Sequence, residues 1–261
     1  MGKFMKMRIK FFLFALLLGV LSLDSGHSSA KSLLDHQYPD DEVGLSSFFK
    51  ESDEFFKKYV SDGKVDYKAI KNNSTDFNEL IDASSLLPPS SDKNIEKAYW
   101  INMYNLLVIK SVIMNYPGIT SPLKVDGFFS KKHFMVRGKL VSLDDIEKGN
   151  LLLVYKDARI HFVLVCAANG CPPLKRGAYF PSNIEKTLDE QTKEALNDPS
   201  FVKVNSGTAT VELSELMKWY KDDFSNENRS IIDYINAYRV NKIPNGYKVG
   251  YYTYDWTLNK K

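Results

Sequence analysis

Only two of the 261 residues are cysteine, Cys166 and Cys171. So few thiols exclude a small fold stapled together by disulfides. The C-x4-C spacing matches neither an ordinary zinc pattern nor the C-x-x-C of a redox centre, and no fourth ligand stands ready beside a histidine. The chain also lacks a Gly/Ser/Pro-rich linker, an internal repeat and any block of like charge, which argues for one domain rather than several. Its longest apolar run, Phe11 to Leu23, falls short of the ~20 residues that span a bilayer.

An excess of charge is missing too, once the N-terminus is set aside. Lys3, Lys6, Arg8 and Lys10 precede that apolar run, and Ser28-Ser29-Ala30 follows it as a small-residue cleavage site. This is the layout of a secretory signal peptide, so residues 1–30 are expected to be removed and the product exported as a soluble periplasmic or extracellular protein. Removal takes four of the 35 basic and one of the 32 acidic residues, leaving 31 of each sign. Composition then gives no support for binding nucleic acid or an anionic membrane. Residues 31–43 read as a loose polar leader, and 44–261 as a single domain large enough for a proper core.

Within that domain the hydrophobic period switches repeatedly. Leu45, Phe48, Phe49, Phe55, Phe56 and Tyr59 recur at helical spacing up to Gly63, and Tyr67 to Ser84 predicts a second helix. A third is expected from Asp92 to Tyr116. Its wheel sends Glu96, Lys97 and Lys110 to solvent, and Asn102 and Asn105 inward with Tyr99, Leu106, Ile109 and Ile113. Two buried carboxamides must find partners. They either tie down a neighbouring loop or orient an imidazole or oxyanion.

A hairpin follows, Lys132–Val136 and Leu140-Val141 around Arg137-Gly138-Lys139, with His133 a solvated edge residue. Ser142 to Asp145 then caps a short helix ending at Gly149 or Asn150. Glu147 in that helix is either a surface residue or a carboxylate aimed at what comes next. What comes next is DARIHFVLVCAANGCPPL, residues 157–174. Its apolar run from Ile160 to Cys166 predicts a central strand covered on both faces, followed by a sharp turn at Asn169-Gly170 and an extended exit at Cys171-Pro172-Pro173. By strand parity His161 and Cys166 face opposite ways, while Cys171 is free to fold back toward His161. Further on, a helix to Asn197, a hairpin around Ser206-Gly207, two short helices and an aromatic tail docked on the core complete an expected α+β domain: a small, mostly antiparallel sheet packed by helices.

Gly63-Lys64-Val65-Asp66-Tyr67, AYWINMYN at 98–105, VSLDDIEKG at 141–149, DARIHFVLVCAANGCPPL at 157–174, LSELMKWYKDDF at 213–224 and YDWTLN at 254–259 resemble, in this order, the bacterial domain-of-unknown-function family 547. The resemblance implies no assigned activity. It picks out Asn105, Glu147, His161, Cys166 and Cys171. Gly170 and Lys148 depart from it, where the family usually shows Ser and often His, and Lys148 weakens any proposal that needs a metal ligand from that helix.

Two functions fit these residues. In the first, a papain- or transglutaminase-like hydrolase or acyl transferase uses Cys171 as nucleophile and His161 as base, with Asn105 or Glu147 as orienter, on an unidentified small-molecule or peptide substrate and without cofactor or metal. In the second, Cys166 and Cys171 form a structural disulfide and the domain is a non-catalytic binding or assembly module. A redox-cycling pair and a metal site are weaker expectations.

Overall fold

The structure, a computed structural model, describes residues 41–261. The expected signal peptide at 1–30 and the leader as far as residue 40 lie outside the described residues. Helix α1, Asp41–Tyr59, begins three residues before Gly44 and takes in the end of that leader. Its buried Leu45, Phe48, Phe49, Phe56 and Tyr59 form the expected stripe. The strands β1, Val60–Ser61, and β2, Lys64–Val65, pair around Gly63. There φ is +71° and an added Cβ would come within 2.9 Å of Pro173, so glycine is required twice over.

The expected helix from 67 to 84 breaks at Asn73 into α2, Tyr67–Asn72, and α3, Ser74–Ser85. Asn73 caps the first and opens the second, consistent with the ability of its short side chain to bond nearby backbone. Helix α4, Lys93–Asn115, is the axis of the domain, capped by Asp92 through Asn94 N and Ile95 N. Its 23 residues span about 34 Å, and nearly all its apolar side chains are buried. At roughly 1.5–3 kcal/mol for each large apolar side chain, no other element buries more. Lys97 does not face solvent as the wheel predicted. It is 7 % exposed, with its ammonium 2.6 Å from Glu185 and 4.8 Å from the centre of the Tyr155 ring, so a neighbouring element covers that face and supplies the counter-charge.

Strands β3, Phe134–Val136, and β4, Lys139–Val141, form the expected hairpin, with His133 exposed at its edge. The next helix is longer and looser than its sequence suggested. Ser142 and Asp145 exchange capping bonds as expected, but Asp145–Leu152 winds as a π-helix and continues through Leu153–Tyr155 past Gly149 and Asn150. Lys156, at φ +49°, ends it.

The central strand expected at 157–166 does not form. Asp157 instead accepts from Arg159 N and from the Arg159 guanidinium, which also reaches Glu185 and Asp189, and this network winds Ala158–Phe162 into a 3-10 turn. Ile160 to Val165 are buried nonetheless, because α4 and helix α5, Ile184–Asn197, enclose them instead of flanking strands. Three small sheets replace the single sheet anticipated. Beyond the two hairpins, β5, Val202–Asn205, pairs antiparallel with β6, Thr210–Ser214, which pairs parallel with β7, Lys248–Tyr252. Short helices α6, Glu215–Trp219, α7, Lys221–Phe224, and α8, Ile231–Tyr238, pack beside them. The architecture is α+β, with small, mostly antiparallel sheets packed by helices.

Candidate functional site

Past Phe162 the chain turns at Val163 and leads to Cys166, and α4 holds it there. The Asn105 carboxamide donates to Val163 O at 2.9 Å and accepts from Val165 N at 2.9 Å, doing for this segment what a neighbouring strand would do. Asn102 bonds in the same way to Tyr179 N and O. Of the two roles open to these carboxamides, both serve the loop tie, and Asn105 does not touch His161.

A hairpin-like embrace by the C-terminal tail fixes the turn that follows. Asn169 N donates to Thr257 O and Gly170 N to Asp255 O, each at 2.8 Å, while Asn259 N reaches Ala167 O and Leu258 N reaches Thr120 O. The tail is docked, as its aromatic content predicted. It lays Tyr254 against the bend. An added Cβ on Gly170 would sit 2.9 Å from Asp255 N and from the Tyr254 ring, so the absence of a side chain there admits this contact.

The two sulfurs meet at the end of the bend, 2.6 Å apart, with both cysteines free. Cys171 Sγ also accepts from Cys166 N at 3.1 Å and from Tyr254 Oη at 3.0 Å. Burial alone would push the Cys171 thiol up, but the hydrogen bonds from Cys166 and Tyr254 outweigh it, and its pKa falls below the ordinary thiol value. The hydrogen bond to Cys171, together with burial, raises the Cys166 thiol well above that value. The two shifts run in opposite directions, so Cys171 is the readier of the pair to lose its proton. Tyr254, buried beside both sulfurs, holds its own proton far above the normal phenol range.

His161 lies apart from this pair. Its Nε2 sits 2.7 Å from Asp223 Oδ2, and its ring packs against Tyr220 with centroids 4.1 Å apart. The hydrogen bond to His161 holds the Asp223 carboxyl below the usual carboxylate range. No hydrogen bond joins His161 to either sulfur among the described residues. Cys171 bonds to Cys166 and Tyr254 rather than to His161, and without a strand there is no parity to set the imidazole and Cys166 on opposite sides.

Cys166 and His161 instead share the wall of one cavity of ≈ 250 Å³. Glu147 stands in the same wall, accepting from Tyr104 Oη at 3.0 Å and Tyr220 Oη at 2.6 Å. Of the two roles left open for it, the inward one is adopted, although toward tyrosines rather than the imidazole. The remaining lining is chiefly aromatic, with Phe129, Trp219, Tyr254 and Trp256, joined by Asp144, Leu164 and Leu216. Trp219 and Trp256 stack at 5.7 Å and 24°, and Tyr254 lies 5.0 and 4.8 Å from them. Among the described residues no cluster of three or more His, Cys, Asp or Glu side chains could hold a metal ion, and no helix is long and apolar enough to cross a membrane.

Sequence reasoning thus named Asn105, Glu147, His161, Cys166 and Cys171 but missed Asp223, Tyr104, Tyr220, Tyr254 and the two tryptophans. Their signal was present, since the quoted runs AYWINMYN, LSELMKWYKDDF and YDWTLN contain all of them.

Residues 88–196 match the model of the family described as "Protein of unknown function, DUF547". Over these residues, fewer than half of the 261, the chain is similar to this family. The DUF547 match contains α4, the π-helix and both cysteines, whereas the segment from α6 through α7 and the tail, which supply Trp219, Tyr220, Asp223, Tyr254 and Trp256, lie beyond it. No curated protein and no solved structure matches the chain.

Proposed function

We propose that the aromatic cavity of this protein is a ligand-binding site for a small molecule or a peptide side chain, presented by a non-catalytic or assembly-type domain. One observation carries this reading: a concave aromatic cavity opens over Glu147 while the imidazole and the sulfur expected to react with each other are committed to different partners, His161 to Asp223 and Cys171 to Cys166 and Tyr254. Such a site is concave, largely apolar and furnished with a few fixed polar groups, which is how small ligands are oriented. The balanced charge of residues 31–261 argues against nucleic acid as the partner, and the basic-then-apolar N-terminus argues for export of one domain running from about residue 44 to the end.

The test is a ligand-observed NMR fragment screen on wild type and on Trp256→Ala. Fragments that bind wild type and lose at least tenfold in affinity with the variant support the reading. Fragments that bind both proteins equally, or no binders at all, overturn it.

A second reading is favoured by the cavity's shared wall: Cys166 and the His161–Asp223 pair could serve thiol chemistry, such as hydrolysis or acyl transfer, on a bound ligand. Here Asp223, not Asn105 or Glu147, orients the imidazole. Counting thiols under denaturing, non-reducing conditions is decisive, since a protein with no free thiol cannot act this way and would carry the Cys166–Cys171 disulfide instead. With thiols free, iodoacetamide should label the pair more slowly in His161→Ala if the imidazole activates it, and at an unchanged rate if it does not.

A further inference from the structure

The cavity has a second property beyond being aromatic: its carboxylates are not matched by basic side chains, since its one imidazole, His161, is paired with Asp223, which lies outside the lining. Glu147 and Asp144 line it, and among the described residues no lysine or arginine does. Asp144 has a counter-ion on its outer side, Lys148 at 3.1 Å. Glu147 has none among the described residues. Its carboxylate is held only by two neutral phenols, Tyr104 and Tyr220, each bonded to a different oxygen, which leaves lone pairs free for a further donor.

The rings of Trp219, Tyr254 and Trp256 line the same cavity as the carboxylate. Trp219 is 47 % exposed although it stacks on Trp256, so a large apolar face is left open at the rim. Aromatic faces carry negative charge density, and a cation within about 6 Å of a ring centre gains from it, most strongly over tryptophan and where water is excluded. An unpaired carboxylate framed by aromatic rings attracts a cation through both effects and disfavours an anion through both.

We infer that the cavity takes a ligand bearing an alkylammonium group, with the cation seated between Glu147 and the Trp219–Tyr254–Trp256 cluster. This rests on the cavity being a binding site, and it adds the charge class of the ligand. A neutral isostere would keep the apolar contacts and lose the electrostatic ones. An anionic isostere would meet repulsion.

The experiment titrates the full chain by calorimetry and tryptophan fluorescence with three probes of nearly equal shape: choline, its uncharged carbon analogue 3,3-dimethylbutan-1-ol, and the anion 3,3-dimethylbutanoate. Choline is expected to bind at least tenfold more tightly than the alcohol, and the carboxylate more weakly than either. Glu147→Gln should reduce the preference for choline to less than threefold while leaving the affinity for the alcohol unchanged, which also reports that the variant is folded. If the alcohol binds as well as choline, the cation assignment is overturned while the binding site stands. If no probe binds or perturbs the tryptophans, the cation assignment falls; the binding-site reading falls with it only if the fragment screen also finds no Trp256-dependent ligand.

Discussion

The hydroxyl of Tyr254 lies 3.0 Å from the Cys171 sulfur and 3.2 Å from the Cys166 sulfur, so one phenol bridges both thiols. That phenol, brought from 83 residues further along the chain, is one of the two side-chain donors that lower the Cys171 pKa.

Tyr254→Phe removes the donor and keeps the ring. Its loss, worth about 1 kcal/mol as an ordinary hydrogen bond and more toward a charged sulfur, should move the apparent thiol pKa upward. The readout is the pH profile of alkylation of Cys171 followed by mass spectrometry. Near neutral pH the rate should fall severalfold; an unshifted profile would show that Tyr254 does not stabilise the thiolate.

Gly170→Ser places a Cβ where the Tyr254 ring and Asp255 N now stand, 2.9 Å away. Overpacking of this kind costs about 1–3 kcal/mol. The variant is expected to melt at lower temperature and to show the same upward thiol shift as Tyr254→Phe, because the ring is displaced. A lowered melting temperature without the thiol shift would separate packing from thiol control.

Asn105→Leu leaves Val163 O and Val165 N buried without partners. Each unsatisfied group costs about 1–3 kcal/mol, so urea unfolding should show a loss of roughly 2–5 kcal/mol. A purely catalytic asparagine would leave stability untouched, which makes this the sharpest check on the structural role.

The His161–Asp223 pair gives a pH dependence whose sign is fixed. Asp223 is held below its unfolded value, so its contribution to stability is complete above about pH 4 and disappears as pH falls through the depressed folded pKa. Wild type should exceed Asp223→Asn in stability at pH 6, with the two converging in stronger acid. Because the carboxylate is 45 % exposed, the difference should be modest and should shrink in salt.

What could be read from the sequence follows from how local each signal was. The stripe of α1, the inward asparagines of α4 and the Ser142–Asp145 cap rest on contacts within a few residues, and they appear as expected. Ile160 to Cys166 shows the opposite. An unbroken apolar run reports burial and says nothing of what does the burying, and here the distant Asn105 side chain and the Arg159 network, which joins the local Asp157 cap to Glu185 and Asp189, decide the backbone. The parity that separated His161 from Cys166 fell with the strand. The same holds for Lys97, whose charge is answered by Glu185, 88 residues away. Asp223 and the tryptophans were within reach only as letters in a family-like run, since no local rule distinguishes an aromatic wall from an aromatic core.

The docked tail sets the moment at which this site comes into being. Thr257, Leu258 and Asn259 bond to Asn169, Thr120 and Ala167, and Asn259 also reaches Val65 and the Tyr67 hydroxyl, so this tail is stitched to the first hairpin of the domain. While the ribosome still holds those residues, the bend around the sulfurs is unclamped and two walls of the cavity have not been delivered. A chain clipped before Tyr254 therefore lacks both the clamp on the bend and the rings of Tyr254 and Trp256 in the cavity wall.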